Sequence, residues 1–147
     1  MHLVRMIYVS KPVEEVDSDV LESILGTAQI NNTEHDLTGL LVFDDQHYLQ
    51  VIEGGRMKVS QLLGNLYKDP RHTDLLVLDF DYISQRQFPD WSMQFVPVVD
   101  VTRDVLLRHG VSSKFDPYNF SKDNALAFMM EMLARQQLLA RQQARAA

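Results

Sequence analysis

LTGLLVFDDQHYLQVIEGG, residues 37–55, decides the fold. Two apolar runs, LTGLLVF (37–43) and HYLQVIE (47–53), flank the acidic pair Asp44-Asp45. That pattern predicts a β-hairpin with a short turn, closed by Gly54-Gly55. Alternation puts Tyr48, Gln50 and Ile52 on one face of the second strand, opposite Leu49 and Val51.

Upstream, HLVRMIYVS (2–10) is rich in β-branched and aromatic residues and reads as a strand ended by Lys11-Pro12. Residues 17–31 carry Val20, Leu21, Ile24, Leu25 and Ala28 at helical spacing, with Asp17 or Ser18 as a cap. Asn31-Asn32-Thr33 is the expected break. Downstream, Met57, Val59, Leu62, Leu63 and Leu66 form a helical stripe over 56–68, stopped by Asp69-Pro70. LLVLDFDYI (75–83) predicts another strand, and SQRQFPDW leads to a last one at about 93–98. The order β-α-β-β-α-β plus a fifth strand is α+β and ferredoxin-like. Right-handed crossovers place both helices on one face of a mixed sheet. The other face then needs a cover.

The remaining third supplies candidates. Residues 100–110 predict a short helix ended by Gly110, 111–120 a loop, and 122–143 a helix of strong formers. Leu126, Met129, Met130, Leu133 and Leu138 make its apolar stripe. These helices either cover the free sheet face or dock a partner or second protomer, and the two readings are compatible.

At 147 residues the chain fits one compact domain with an appendage. Its 46% hydrophobic and 23% charged composition is that of a soluble globular protein. No apolar run approaches the roughly 20 residues of a membrane span, so no membrane partner is expected. MHLVRMIYVS is too short and too mixed for a signal peptide. The chain has no cysteine, which excludes disulfides and thiolate zinc sites; a cytoplasmic location is the default expectation. Its five histidines are scattered, so no metal site is expected. A net charge of −6 argues against a nucleic-acid partner; Arg135, Arg141 and Arg145 are the one basic group.

In the first strand Val4, Met6 and Tyr8 share a face that Ser10 continues, opposite Leu3, Arg5, Ile7 and Val9. If Tyr8 and Gln50 both face the helices, two polar groups sit in the main core. A buried glutamine costs free energy unless its amide is hydrogen-bonded. It offers two donors at nitrogen and an acceptor at oxygen. Periodicity leaves two readings open: a Gln–Tyr pair that satisfies itself, or one end of a ligand site.

Five segments, IYVS, AQINNTEHDLTGLL (28–41), YLQVIEG (48–54), DPRHTD (69–74) and FPDWSMQ (88–94), occur in order. Together they resemble the BLUF domains, sensors of blue light using flavin, over about residues 1–97. The resemblance implies a non-covalent flavin, usually FAD with FMN or riboflavin as options, wedged between the two helices. It implies that Tyr8 donates an electron and a proton to the excited flavin. Gln50 is then the switch between Tyr8 and the ring edge. Asn32 bonds the ring's C4 carbonyl and N3, and Asn31 flanks the ring. Asp69, Arg71 and His72 match positions near the ribityl and phosphate part, and Ser10 is a neighbour of the switch. Trp91 and Met93 match a pair that exchanges places near Gln50. His35 and His47 have no role in it and are read as solvent-facing or incidental. Lack of cysteine excludes the flavin sensors that form a cysteinyl adduct.

The expected division is a photosensory domain over 1–98 and a C-terminal helical extension over 99–147. The chain lacks the length for a cyclase or phosphodiesterase. It is therefore expected to be no enzyme and to signal to a separate protein; the Met- and Leu-rich helix at 122–143 is the expected surface for homo-oligomerisation, partner binding or both. The competing readings are a small-molecule enzyme on the same fold and a flavin-free dimerisation module, since a fold does not fix function.

Overall fold

The computed structural model describes residues 2–15, 17–89, 94–98 and 103–146. Five strands run as β1 (Leu3–Pro12), β2 (Thr38–Asp44), β3 (His47–Gly55), β4 (His72–Tyr82) and β5 (Gln94–Pro97). The helices are α1 (Ser18–Glu34), α2 (Arg56–Lys68), α3 (Arg103–His109) and α4 (Lys122–Ala146), with a 3-10 turn at Pro117–Asn119. The sheet order is β4-β1-β3-β2-β5. β5 joins β2 in parallel, and the other three pairings are antiparallel. This is the ferredoxin-like arrangement with a fifth strand that the element order predicts.

The 37–55 hairpin forms as expected, and local chemistry explains its turn. Asp44 Oδ1 accepts the backbone N–H groups of Gln46 (2.9 Å) and His47 (2.7 Å). Gly39 allows β2 and β3 to close up. A Cβ at that position would lie 2.0 Å from the Val51 carbonyl oxygen.

The sheet has two apolar faces, and strand parity assigns them. Val4, Met6, Tyr8, Leu41, Tyr48 and Ile52 face Leu21 of α1 and Val59, Leu62, Leu63 and Leu66 of α2. Ile7, Val9, Leu40, Val42, Leu49 and Val51 face the C-terminal elements, meeting Val105, Phe120, Phe128, Met129 and Met132. The C-terminal helices thus cover the free face.

Four expectations need correction. First, α1 does not break at Asn31-Asn32-Thr33 but runs to Glu34. The chain turns only where Asp36 adopts φ 56° and the Asn32 carbonyl accepts the Leu37 N–H at 2.8 Å. A left-handed residue just past the last turn is an ordinary helix stop, here supplied by aspartate instead of glycine. Second, β4 starts at His72, not 75. Asp74, at φ 55°, is absorbed where the register against β1 shifts between Val9 and Lys11. Third, the buried stripe of α4 is Ala125, Phe128, Met129, Met132 and Leu133. Met130 and Leu138 lie off that face and are exposed. Fourth, His47 is not solvent-facing. It sits 3.2 Å from Asp44 Oδ1 and packs edge-on against Phe115 and Tyr118. His35 is exposed, as expected.

Candidate functional site

The register of β1 against β3 makes Tyr8 and Gln50 direct cross-strand partners. Directly opposed side chains on one face lie within hydrogen-bonding reach. The Tyr8 hydroxyl donates to Gln50 Oε1, and both residues are buried. β3 is the central strand, so this pair sits at the middle of the sheet.

Above the pair, between α1 and α2, lies a cavity of about 240 Å³. Its walls are apolar: Ile24 and Ala28 from α1, Leu41 and Ile52 from the sheet, Leu62 and Leu66 from α2. Four amides line it as well, those of Asn31, Asn32, Gln50 and Asn65. Asn32 is buried, while Asn31 is exposed at the rim. The continuation of α1 past residue 31 is what carries both asparagines to the cavity.

Asp69, Arg71 and His72 complete the lining. Arg71 Nη2 bonds Asp69 Oδ2 at 2.6 Å and Nε bonds Asp69 Oδ1 at 2.9 Å. These hydrogen bonds hold the Asp69 carboxyl below its ordinary range. The Arg71 side chain remains 57% exposed, which puts a cation at the open side of the cavity. His72 Nε2 lies 2.6 Å from the Leu66 carbonyl oxygen, and its ring is 6.4 Å from that of Tyr8.

The sequence-derived residues Tyr8, Asn31, Asn32, Gln50, Asp69, Arg71 and His72 therefore converge on one cavity. Ser10 does not line it, but it is fully buried on the Tyr8 face. Its Oγ is the buried side-chain polar atom without a hydrogen-bond partner among the described residues. Such an atom marks a polar demand the chain does not meet by itself. Trp91 and Met93 lie outside the described residues. Tyr48, Asn65 and Leu66 were missed by sequence reasoning as site residues. Tyr48 shares the parity of Gln50 and was legible on that ground; Asn65 was not marked by any motif.

Burial pushes the Tyr8 hydroxyl well above the ordinary tyrosine range, and Tyr48 and Asp69 add to the effect. The phenol is thus held protonated. Its raised proton affinity contributes stability that is complete below the unfolded tyrosine value of about 10 and is lost as pH rises beyond it. Any light response that needs this proton should keep its amplitude through pH 10, where an unperturbed tyrosine would already be half ionised. A pH titration of the response checks this; a loss centred near neutrality would show that a different group controls it.

These features fit a flavin. Apolar walls on both sides suit a flat aromatic ring, convergent amides suit its edge heteroatoms, and an exposed arginine suits a phosphate. Comparison with known proteins agrees. The family model "Sensors of blue-light using FAD" (BLUF) matches residues 3–94. The chain belongs to this family of flavin-binding blue-light photoreceptors. It is 28% identical over 106 residues to the blue light- and temperature-regulated antirepressor BluF of Escherichia coli K12, covering 72% of this chain and 26% of that protein. Among solved structures, BlsA in its photo-activated state superposes with TM-score 0.78 at 28% identity, covering 89% of this chain and 94% of that one. BlrB in its dark state gives 0.72 at 27% identity, covering 92% and 97%. The chain spans about a quarter of the length of BluF. The family match decides for the flavin sensor over the enzyme and the flavin-free dimerisation module. Among the described residues no helix is long and apolar enough to cross a membrane.

Proposed function

We propose that this chain is a cytoplasmic light-gated signalling module in which Tyr8 and Gln50 read the flavin and the far side of the sheet passes the result to a separate protein. The observation that carries this reading is the buried Tyr8–Gln50 hydrogen bond on the wall of the cavity. The bound flavin, usually FAD, would supply blue-light absorption and an oxidising excited state. The chain's residues do the rest.

Asn32, held buried on the last turns of α1, orients the ring edge, and Ile24, Leu62 and Leu66 exclude water from its faces. Arg71 and His72 hold the phosphate part. With a flavin bound, Tyr8 would supply the electron that the excited ring demands and release its hydroxyl proton along the hydrogen bond to Gln50 Oε1, and would recover both on return to the dark state. Because burial disfavours the tyrosinate, the proton does not leave ahead of the electron. What persists is a rearranged hydrogen-bond network at Gln50. One neutral hydrogen bond is worth about 0.5–1.5 kcal/mol net, so two or three bias a packed two-state element by a few kcal/mol. That is enough to shift a population substantially.

The signal route in this reading is β5, with Trp91 and Met93 before it, and then the 99–147 extension as oligomer or partner interface. Support comes from position: β5 pairs with β2, which pairs with the Gln50 strand, and α4 bonds β5 through Gln136 Nε2 to the Phe95 carbonyl at 3.1 Å.

Titrating riboflavin, FMN and FAD into flavin-depleted protein tests the site. All three are expected to bind through the ring, the phosphorylated forms more tightly, with a margin that narrows as salt rises. Failure of every flavin to bind would overturn the assignment of the cavity; equal affinities would remove Arg71 and His72 from it.

A further inference from the structure

Glu53 is the one fully buried acidic side chain among the described residues, and the photochemistry does not use it. It lies three residues beyond Gln50 on β3, so strand parity points it to the opposite face, among Leu49 and Val51. Its carboxylate meets three donor groups. Arg5, its cross-strand partner on β1, approaches with Nε at 2.9 Å and Nη2 at 2.9 Å. The backbone N–H of Gln87 donates to both oxygens, at 2.9 and 3.1 Å. The backbone N–H of Phe88 donates at 2.7 Å.

The same segment is tied a second time. Arg86 Nη1 donates to the Glu53 carbonyl at 3.1 Å and to Thr38 Oγ1 at 2.8 Å, and its Nη2 donates to the Asp36 carbonyl at 2.7 Å. Phe88 is itself buried in the far-side core. Residues 86–88 are therefore fastened to the strand that carries Gln50 and to the start of β2. They stand six residues before Gln94, where β5 begins. A buried carboxylate persists only where ion pairs and hydrogen bonds compensate it, and breaking those is costly. Such a group makes a stiff joint.

We propose that Glu53 is a positioning residue for signal transmission: it locks the Gln50 strand to residues 86–88, ahead of β5 in the chain, so that a change at Gln50 is carried toward β5. This rests on the sensor reading above. Glu53 touches neither the cavity nor the Tyr8–Gln50 pair, so it acts downstream of the photochemistry.

The test uses the full flavin-loaded chain and Glu53→Gln, which keeps the shape, removes the ion pair with Arg5 and leaves one oxygen for two N–H donors. Two readouts are needed in dark and light: the flavin absorption shift, and amide hydrogen exchange of residues 94–98 and 103–109. In the native protein both respond to light. In the variant the absorption shift keeps its native amplitude, while the light-minus-dark exchange difference falls about five-fold or more. An exchange difference of native size in the variant overturns the proposal, as does a native protein whose shift is normal but whose β5 exchange ignores light. A native protein with no shift overturns the sensor reading itself. Should Glu53→Gln fail to fold, Arg86→Ala decides. It removes the second tie without leaving a buried charge, and the same split of the two readouts is expected; retained exchange coupling would refute the joint.

Discussion

Tyr8→Phe is expected to keep the flavin and abolish the light-induced red shift. The substitution removes one oxygen and nothing else from a residue packed among Val4, Met6 and Ile52. The cavity walls and the asparagines of α1 remain, so binding survives. What is lost is the hydroxyl that donates to Gln50 Oε1, and with it the proton that Tyr8 has to give up. Gln50→Leu should give the same result from the other half of the pair: a yellow protein whose bands do not move under blue light. Each is a near-total loss in an absorption difference spectrum. A normal photocycle in either variant would remove that residue from the mechanism.

The second large effect concerns the C-terminal extension. Phe128 of α4 is fully buried, with Phe115, Phe120 and the His109 ring at centroid distances of 5.5, 5.4 and 5.9 Å. Truncating a buried phenylalanine to alanine costs about 3–5 kcal/mol. A domain of this size has roughly 5–15 kcal/mol in total. Phe128→Ala should therefore lower the urea midpoint of the whole chain sharply, in a single transition shared by sheet and helix signals. A loss below about 1 kcal/mol, or helices melting apart from an intact sheet, would mean that the extension is a loosely held arm. The expected result makes 99–147 part of the same folding unit as the sheet, which is how a change at β5 reaches α4.

The hairpin, the order of elements and the two sheet faces were legible because strand parity is strict: shifting one residue flips every side chain. Gln50 and Tyr8 were found on that ground alone. Their meaning was not, because a buried Gln–Tyr pair satisfies itself equally well without a ligand; the five ordered motifs supplied it. The end of α1 was misread because Asn31 and Asn32 are poor helix formers locally, whereas burial of Asn32 and the left-handed Asp36 place the stop later. The α4 stripe was shifted because Met130 and Leu138 are as apolar as the residues that pack, and only the docked sheet chooses among them. Glu53 was overlooked although its parity with Leu49 and Val51 marked a charge on an apolar face. Its partners, the backbone N–H groups of Gln87 and Phe88, carry no sequence signal.

The most direct test of the central claim is the visible absorption of the purified chain, in the dark and under blue light. The expected result is a yellow protein whose flavin bands move slightly to the red on illumination and return in the dark. A colourless protein that takes up no added flavin, or a flavin spectrum that light leaves in place, would contradict it.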